Sequence, residues 1–149
     1  MILDAEKNGN CMIKVNNMNL LQDIYKSDPW KMLICCVMLN LTTRQQVDKI
    51  RHKLFERYPM PHVLAFANEL ELVDLLKPLG MQNKRALTLK RLSLEYLRGF
   101  EDPKDLYGVG QYGVDSWEIF QNKNYNIKPT DKVLKKYLKK IRYADKTNK

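Results

Sequence analysis

The most specific local signal in the sequence is Leu106-Tyr107-Gly108-Val109-Gly110, which predicts a tight turn between two segments of helical periodicity. Two glycines separated by one apolar residue let the backbone turn sharply and expose successive amide groups at the start of the next helix. Such a helix start favours a phosphate through its unpaired N–H groups and its dipole. Leu106 and Val109 are expected to anchor the hairpin in the core. The alternative is an ordinary glycine-containing turn between helices.

Helical periodicity also dominates the rest of the sequence. Segments with apolar residues at helical spacing, or with helix-start signals, lie at residues 30–39, 47–55, 63–67, 70–76 and 83–99, from 102, from the hairpin through 120, and from 131 onward. Asp28-Pro29 predicts a helix start, because aspartate caps the helix and proline in the first turn loses no hydrogen bond. Gly99 predicts a helix end. No stretch predicts a strand, so the predicted fold class is all-α.

The last helix is predicted to be amphipathic and basic. Its inward face comprises Val133, Leu134, Tyr137, Leu138 and Ile141, and its outward face comprises Lys132, Lys135, Lys136, Lys139 and Lys140. Such a run is usually a solvated face, but beside a phosphate-binding hairpin it would add phosphate contacts. These patterns predict a loose N-terminal segment at residues 1–20, a globular domain at 21–143 and a basic C-terminal tail at 144–149.

Composition limits the class of function. The chain has 149 residues, of which 44% are hydrophobic and 29% charged, which fits one domain with a packed core. Its formal net charge of +9 favours a polyanionic partner, and nucleic acid is the commonest one. The sequence has no apolar run of membrane-spanning length and no signal-peptide pattern, so we expect a soluble intracellular protein. The spacing of its three cysteines fits neither a disulfide framework nor a metal site.

Asp131, at the start of the basic helix, is the candidate catalytic group. Aspartate at a helix start is most often only a cap. The helix dipole also favours the ionised carboxylate, which is the form needed to stabilise a sugar cation or to accept a proton from water. The glycine turn likewise has two interpretations, an ordinary turn or a helix-hairpin-helix that binds the DNA backbone without reading its sequence.

Several motifs occur in order along residues 20–143. They are Asp28-Pro29-Trp30-Lys31-Met32-Leu33-Ile34, Leu39-Asn40, Thr42, Leu76-Lys77-Pro78-Leu79-Gly80, Glu95-Tyr96-Leu97, Gly108-Val109-Gly110-Gln111-Tyr112-Gly113, Asp115-Ser116 and Pro129-Thr130-Asp131-Lys132-Val133-Leu134-Lys135-Lys136-Tyr137. Through them the sequence resembles the glycosylase domains of the methyl-CpG-binding domain protein 4 family, within the helix-hairpin-helix DNA glycosylase superfamily. The resemblance implies an all-α fold with a cleft between two helical lobes, and a monomeric, nuclear base excision repair enzyme that acts on double-stranded DNA.

The implied activity is that of a monofunctional glycosylase, which flips thymine or uracil opposite guanine out of the duplex and hydrolyses its N-glycosidic bond. Asp131 matches the catalytic aspartate. Tyr112 matches the base-pocket tyrosine, in the slot where bifunctional relatives carry a Schiff-base lysine. The residues expected to contact DNA are Leu106, Gly108, Val109, Gly110 and Gln111 of the hairpin, the group Asn40, Leu41 and Thr42, the pair Met81 and Gln82, and Lys132.

The sequence also departs from the superfamily pattern. Leu41 stands where vertebrate relatives have an arginine that fills the gap left by the extruded nucleotide, and an apolar wedge can fill it by packing between bases. Thr130 replaces an acidic residue, and the four-cysteine iron–sulfur loop is absent. The only cofactor implied is a structural monovalent cation at the carbonyls of residues 106–110. Two alternatives remain, a related glycosylase for another base, such as adenine opposite a damaged guanine, and a non-catalytic DNA-binding module.

Overall fold

The computed structural model describes residues 18–147, and within that range it contains helices and turns but no strand. The α-helices are α1 (Leu21–Ile24), α2 (Pro29–Met38), α3 (Arg44–Arg57), α4 (Pro61–Ala65), α5 (Glu69–Leu76), α6 (Gln82–Arg98), α7 (Gln111–Phe120) and α8 (Lys132–Thr147). Short 3-10 turns at Lys77–Leu79 and Pro103–Asp105 precede α6 and the hairpin. The all-α prediction is confirmed. Among the described helices, none combines the length and apolar character needed to cross a membrane.

Local sequence explains where several helices begin. The Asp28 side chain accepts a hydrogen bond from the Lys31 amide, with Pro29 in the first turn of α2 as predicted. Thr43 and Gln46 form a reciprocal capping box at the start of α3, which satisfies two amide groups that the helix leaves unpaired. Helix α6 ends at Gly99, whose φ of +93° is easily adopted only by glycine.

Helix α2 is the centre of the molecule, because it belongs to two hydrophobic clusters. Its residues Trp30 and Ile34 pack with α3, α5 and α6, whereas Met32 and Leu33 pack with α7 and α8. All four side chains are at most 1% exposed, so α2 is buried on most of its sides. Truncating one of them to alanine would cost about 2–5 kcal/mol of stability. The rigid α2 therefore fixes the turn that follows it.

The structure corrects three predictions at the edges of the domain. Leu20 and Leu21 are buried and α1 begins at residue 21, where no helix was predicted, while residues 1–17 of the predicted loose segment lie outside the described residues. The predicted tail at 144–149 is helical through Thr147, because the buried Ala144 extends the apolar stripe of α8. Val133 was predicted to face inward but is 44% exposed.

Candidate functional site

Residues far apart in the sequence line one open cavity of about 810 Å³, the main cavity. Its walls come from α1, α2, the α2–α3 turn, the hairpin and the start of α8. Among its lining residues are nine of the predicted site residues: Asn40, Leu41, Thr42, Gly108, Val109, Gly110, Gln111, Tyr112 and Asp131. The predicted hairpin and the predicted catalytic aspartate therefore share one cavity.

Asp131 is both a helix cap and a wall of this cavity. One of its carboxylate oxygens, Oδ2, accepts a hydrogen bond from the Leu134 amide at 2.9 Å, and its carbonyl accepts one from the Lys135 amide at 3.0 Å. Among the described residues, no hydrogen bond uses the second carboxylate oxygen, Oδ1. The cap fixes the carboxylate in position and leaves Oδ1 available for chemistry.

Gln22, a buried amide, and Tyr112 form a second polar part of the main cavity, the polar wall. Gln22 is 1% exposed, lines the main cavity and donates from Nε2 to the Tyr112 hydroxyl at 2.6 Å and to Ser116 Oγ at 3.1 Å. Ser116 donates its own hydroxyl proton to the Tyr112 carbonyl at 2.8 Å, so its oxygen can only accept from Gln22. These bonds determine the amide orientation and leave Gln22 Oε1 as a free acceptor. The sequence interpretation did not single out Gln22.

Burial keeps two groups of this wall protonated. Burial raises the pKa of the Tyr112 phenol well above its ordinary value of 10.0, and the nearby Cys36 and Asp131 add to the shift. Burial also raises the pKa of the Cys36 thiol to about 12. At neutral pH Tyr112 is therefore a hydroxyl donor, and Cys36 is an uncharged packing residue rather than a nucleophile.

The hairpin has a backbone that requires glycine. Gly108 has a φ of +82°, and a Cβ at this position would collide with the Thr88 methyl group. Gly113, in the first turn of α7, comes so close to Val109 that a Cβ would lie 2.9 Å from Val109 Cγ1. Gly110 precedes α7 and supplies no side-chain cap, so a phosphate can bind the first amide groups of α7.

Helix α6 braces the hairpin from the side. The Tyr107 amide donates to Glu95 Oε1 at 2.8 Å, and Arg91 Nε donates to Glu95 Oε2 at 2.9 Å. The Arg91 guanidinium also lies 4.1 Å from the centre of the Tyr107 ring, in a cation–π arrangement. The turn is thus held in place by α6 as well as by its own glycines.

Four predicted DNA-binding residues do not line the main cavity. Leu106 is 3% exposed and packs in the second hydrophobic cluster, so its side chain anchors the hairpin and cannot contact DNA. Met81 instead lines a neighbouring cavity of about 330 Å³, together with Leu41 and Gly108. Gln82 and Lys132 line neither cavity, although Lys132 is exposed at the start of α8.

The implied cation site consists of the backbone carbonyls of residues 106–110. The Leu106 carbonyl accepts the Val109 amide at 3.2 Å, and a carbonyl oxygen has a second lone pair that can coordinate a cation. Uncharged oxygen donors suit a monovalent ion, so the donor set fits, and the cation remains a prediction. Within residues 18–147 no cluster of three or more histidine, cysteine, aspartate or glutamate side chains could hold a metal ion.

The chain is similar in sequence to known DNA repair proteins. A family model described as HhH-GPD superfamily base excision DNA repair protein matches residues 34–149. The chain is 39% identical over 121 residues, 80% of its length, to a methyl-CpG-binding domain protein 4-like protein of Arabidopsis thaliana. It is 40% identical over 95 residues to a thymine/uracil-DNA glycosylase of Pyrobaculum aerophilum and 37% identical over 94 residues to a thymine-DNA glycosylase of Aeropyrum pernix, each match covering 58% of the chain. These matches span 27%, 41% and 42% of the three relatives.

Proposed function

The chain belongs to the HhH-GPD superfamily of base excision DNA repair proteins, and from this premise we propose that it is a monofunctional DNA glycosylase. Its proposed substrate is thymine or uracil opposite guanine in double-stranded DNA. The observation that carries the proposal is the Asp131 carboxylate, held by its own helix in the wall of a cavity that the glycine hairpin also lines. A monomer working in the nucleus remains a prediction.

Binding begins with the duplex backbone and with extrusion of the target nucleotide. The hairpin amide groups hold a phosphate, and the exposed Leu41 and Met81 enter the space that the extruded nucleotide leaves. Extrusion costs a few kcal/mol and is least costly for a mismatched pair, which gives a first selection of G·T or G·U over normal pairs.

The polar wall suits a pyrimidine with a protonated N3. Thymine and uracil present an N3–H donor between two carbonyl acceptors, whereas cytosine presents an acceptor at N3. The free Oε1 of Gln22 would accept from N3–H, and the protonated Tyr112 hydroxyl would donate to a base carbonyl. Cytosine would face the Gln22 oxygen with its own lone pair and be rejected, since an unpaired buried polar group is costly.

The chemistry is hydrolysis at C1′ of the deoxyribose. The Asp131 carboxylate stabilises the positive charge that develops on the sugar as the glycosidic bond breaks, and Oδ1 orients the attacking water and takes its proton. The base leaves as an anion stabilised by the Tyr112 hydroxyl and then gains one proton, which balances the proton that Asp131 takes from the water, so the net reaction adds one water molecule across the glycosidic bond. With a tyrosine at this position instead of a lysine, no Schiff base forms there and the strand is not cleaved.

An assay of base release on defined duplexes tests the proposal. Wild-type protein is incubated with G·T, G·U, A·8-oxoguanine and normal G·C duplexes, each analysed with and without alkali. We expect release from G·T and G·U only, with strand breaks appearing only after alkali. Activity on A·8-oxoguanine would indicate a different base choice, breaks without alkali would exclude the monofunctional mechanism, and binding without any release would indicate a non-catalytic module.

A further inference from the structure

Two exposed apolar residues share an unusual backbone conformation beside the smaller cavity. Leu41, between α2 and α3, has a φ of +59° and is 81% exposed. Met81, directly before α6, has a φ of +48° and is 50% exposed. Residues other than glycine rarely adopt this left-handed backbone conformation, so the surrounding structure must hold both turns in place.

Arg85 connects these two turns through hydrogen bonds of its guanidinium group. Its Nε donates to the Gly80 carbonyl at 2.8 Å, and its Nη2 donates to the Asn40 carbonyl at 2.9 Å. Each of these carbonyls belongs to the residue immediately before one of the strained residues, Met81 and Leu41 respectively. A single planar guanidinium therefore holds the backbone at the base of both exposed apolar side chains.

Burying the Arg85 guanidinium costs folding free energy, and a positioning role would explain why the residue lies there. The residue is only 7% exposed, and burial lowers the pKa of its guanidinium. Across residues 18–147 no carboxylate forms an ion pair with Arg85, and its hydrogen-bond acceptors are two backbone carbonyls. A buried cation without a counterion destabilises the fold relative to an apolar side chain.

We propose that Arg85 is a positioning residue that preforms Leu41 and Met81 as one two-sided wedge for opening the duplex. The inference rests on the proposed function, because it concerns how the target nucleotide is extruded. Without the guanidinium bridge the two turns relax independently, and the wedge must be assembled while the base pair is opening. Arg85 then matters where a stacked pair has to be opened, and not where the target base is already unpaired.

The test compares two substrates that differ only in pairing. Single-turnover release of uracil is measured at saturating enzyme from a G·U duplex and from the same duplex with the uracil in a short unpaired bubble. In the Arg85→Lys variant a single ammonium replaces the fork and cannot reproduce both bonds. We expect release from the G·U duplex to fall by about 10-fold to 100-fold, the scale of a small misplacement, with release from the bubble changed by less than about twofold.

Control variants separate this role from general structure. Arg57→Lys alters an exposed ion pair with Glu71 and should leave both rates unchanged. A 2-aminopurine base beside the uracil reports extrusion without turnover, and its fluorescence gain should be smaller with Arg85→Lys than with wild type. Equal losses on both substrates, or an unchanged fluorescence gain, would overturn the inference while leaving the proposed function intact. No release by wild type from either substrate would instead refute the proposed function.

A second pair of variants keeps the inference testable if Arg85→Lys does not fold. Leu41→Gly and Met81→Gly retain the left-handed backbone and the carbonyls that Arg85 binds, but remove the wedge side chains. If the two side chains act as one wedge, the double variant should be no slower on the G·U duplex than the slower single variant. Additive losses would mean that the two residues act independently, which contradicts a bridge that couples them.

Discussion

Helices α7 and α8 both begin at the wall of the main cavity, but their first amide groups differ in whether a side chain caps them. Helix α7 follows Gly110, which has no side chain, so the first amide groups of α7 are not capped by it. Helix α8 follows Asp131, whose carboxylate accepts the Leu134 amide. The first helix start can therefore take an external anion, whereas the second already has its own.

The proposed function gives the starts of α7 and α8 different tasks. A glycine start with a rigid turn suits a DNA phosphate, which brings its charge with it. An aspartate start holds one negative charge at a fixed place, which suits a positive charge that appears only in the transition state. In the proposed function, the start of α7 therefore serves DNA binding and the start of α8 serves catalysis.

Removing the negative charge of Asp131 at the start of α8 should have the largest effect, and the rate of base release is the quantity affected. Asparagine caps a helix as well as aspartate, so Asp131→Asn keeps the start of α8 but loses the carboxylate. We expect base release from a G·U duplex to fall by roughly 10³-fold, in the range for loss of a catalytic acid–base or electrostatic group, with duplex affinity retained. Single-turnover kinetics and a binding titration measure the two quantities.

Asp102→Asn is the matched control for this variant. Asp102 caps the turn Pro103–Asp105 through the Lys104 amide and lines neither cavity. It should release base at the wild-type rate. Normal turnover by Asp131→Asn would refute the catalytic role of the carboxylate.

Placing a carboxylate at the start of α7 should remove the difference between the two helix starts. Gly110 has a φ of −101°, and a Cβ there would meet no atom within 4 Å, so Gly110→Asp is sterically tolerated. The new carboxylate would cap α7 and repel a phosphate, so affinity for every duplex should fall by on the order of 100-fold. Gly110→Ala adds a side chain without charge and is the control. Loss confined to certain DNA sequences would contradict a backbone-binding hairpin.

Removing one lysine charge from the exposed face of α8 should have a moderate effect on DNA binding. Lys135 and Lys139 are exposed on α8, one turn apart, and no ion pair in residues 18–147 involves them. Replacing one of them with glutamine should lower the slope of log K against log salt by about 0.9 if it contacts a phosphate. Lys53→Gln, on the exposed face of α3, should leave the slope unchanged. An unchanged slope for both α8 variants would mean that this face of α8 is only solvated.

The smallest expected effect is on how the melting temperature changes with pH. Burial raises the pKa of Tyr112 above 10.0, so the folded state holds this proton more tightly than the unfolded state. This contribution to stability is present below pH 10 and is lost as the pH rises above it. Tyr112→Phe should therefore show a shallower loss of melting temperature above pH 10 than wild type. Tyr143→Phe, at an exposed tyrosine, is the control, and identical slopes for all three proteins would contradict the buried phenol.

Sequence was sufficient where the deciding interactions are local. The starts of α2 and α8 depend on Asp28 and Asp131 and on amide groups three residues further along. The sharp turn of the hairpin depends on the positive φ of its own Gly108, and α6 adds further support. Asp131 has the local pattern of an ordinary cap, so its position at a helix start made it only one candidate for catalysis, and the resemblance added the match to a catalytic aspartate.

Sequence was insufficient where partners come from distant segments. Gln22 lies in a four-residue helix that is too short to show periodicity, and its hydrogen-bond partners are 90 and 94 residues away. Arg85 has the pattern of a solvent-exposed basic residue on an amphipathic helix, yet it is buried because Asn40, 45 residues earlier, supplies a carbonyl. Helix α8 runs past residue 143 because its apolar stripe continues to Ala144.

A crystal structure of the Asp131→Asn variant with a G·U duplex tests the central assignment most directly, since that variant should bind without turnover. We predict an extruded uracil in the main cavity, with its N3 within hydrogen-bond distance of Gln22 Oε1, its C1′ beside the substituted carboxamide, and a phosphate at the amide groups after Gly110. A uracil still stacked in the helix, or extruded with its sugar on the far side of the hairpin from position 131, would contradict the account.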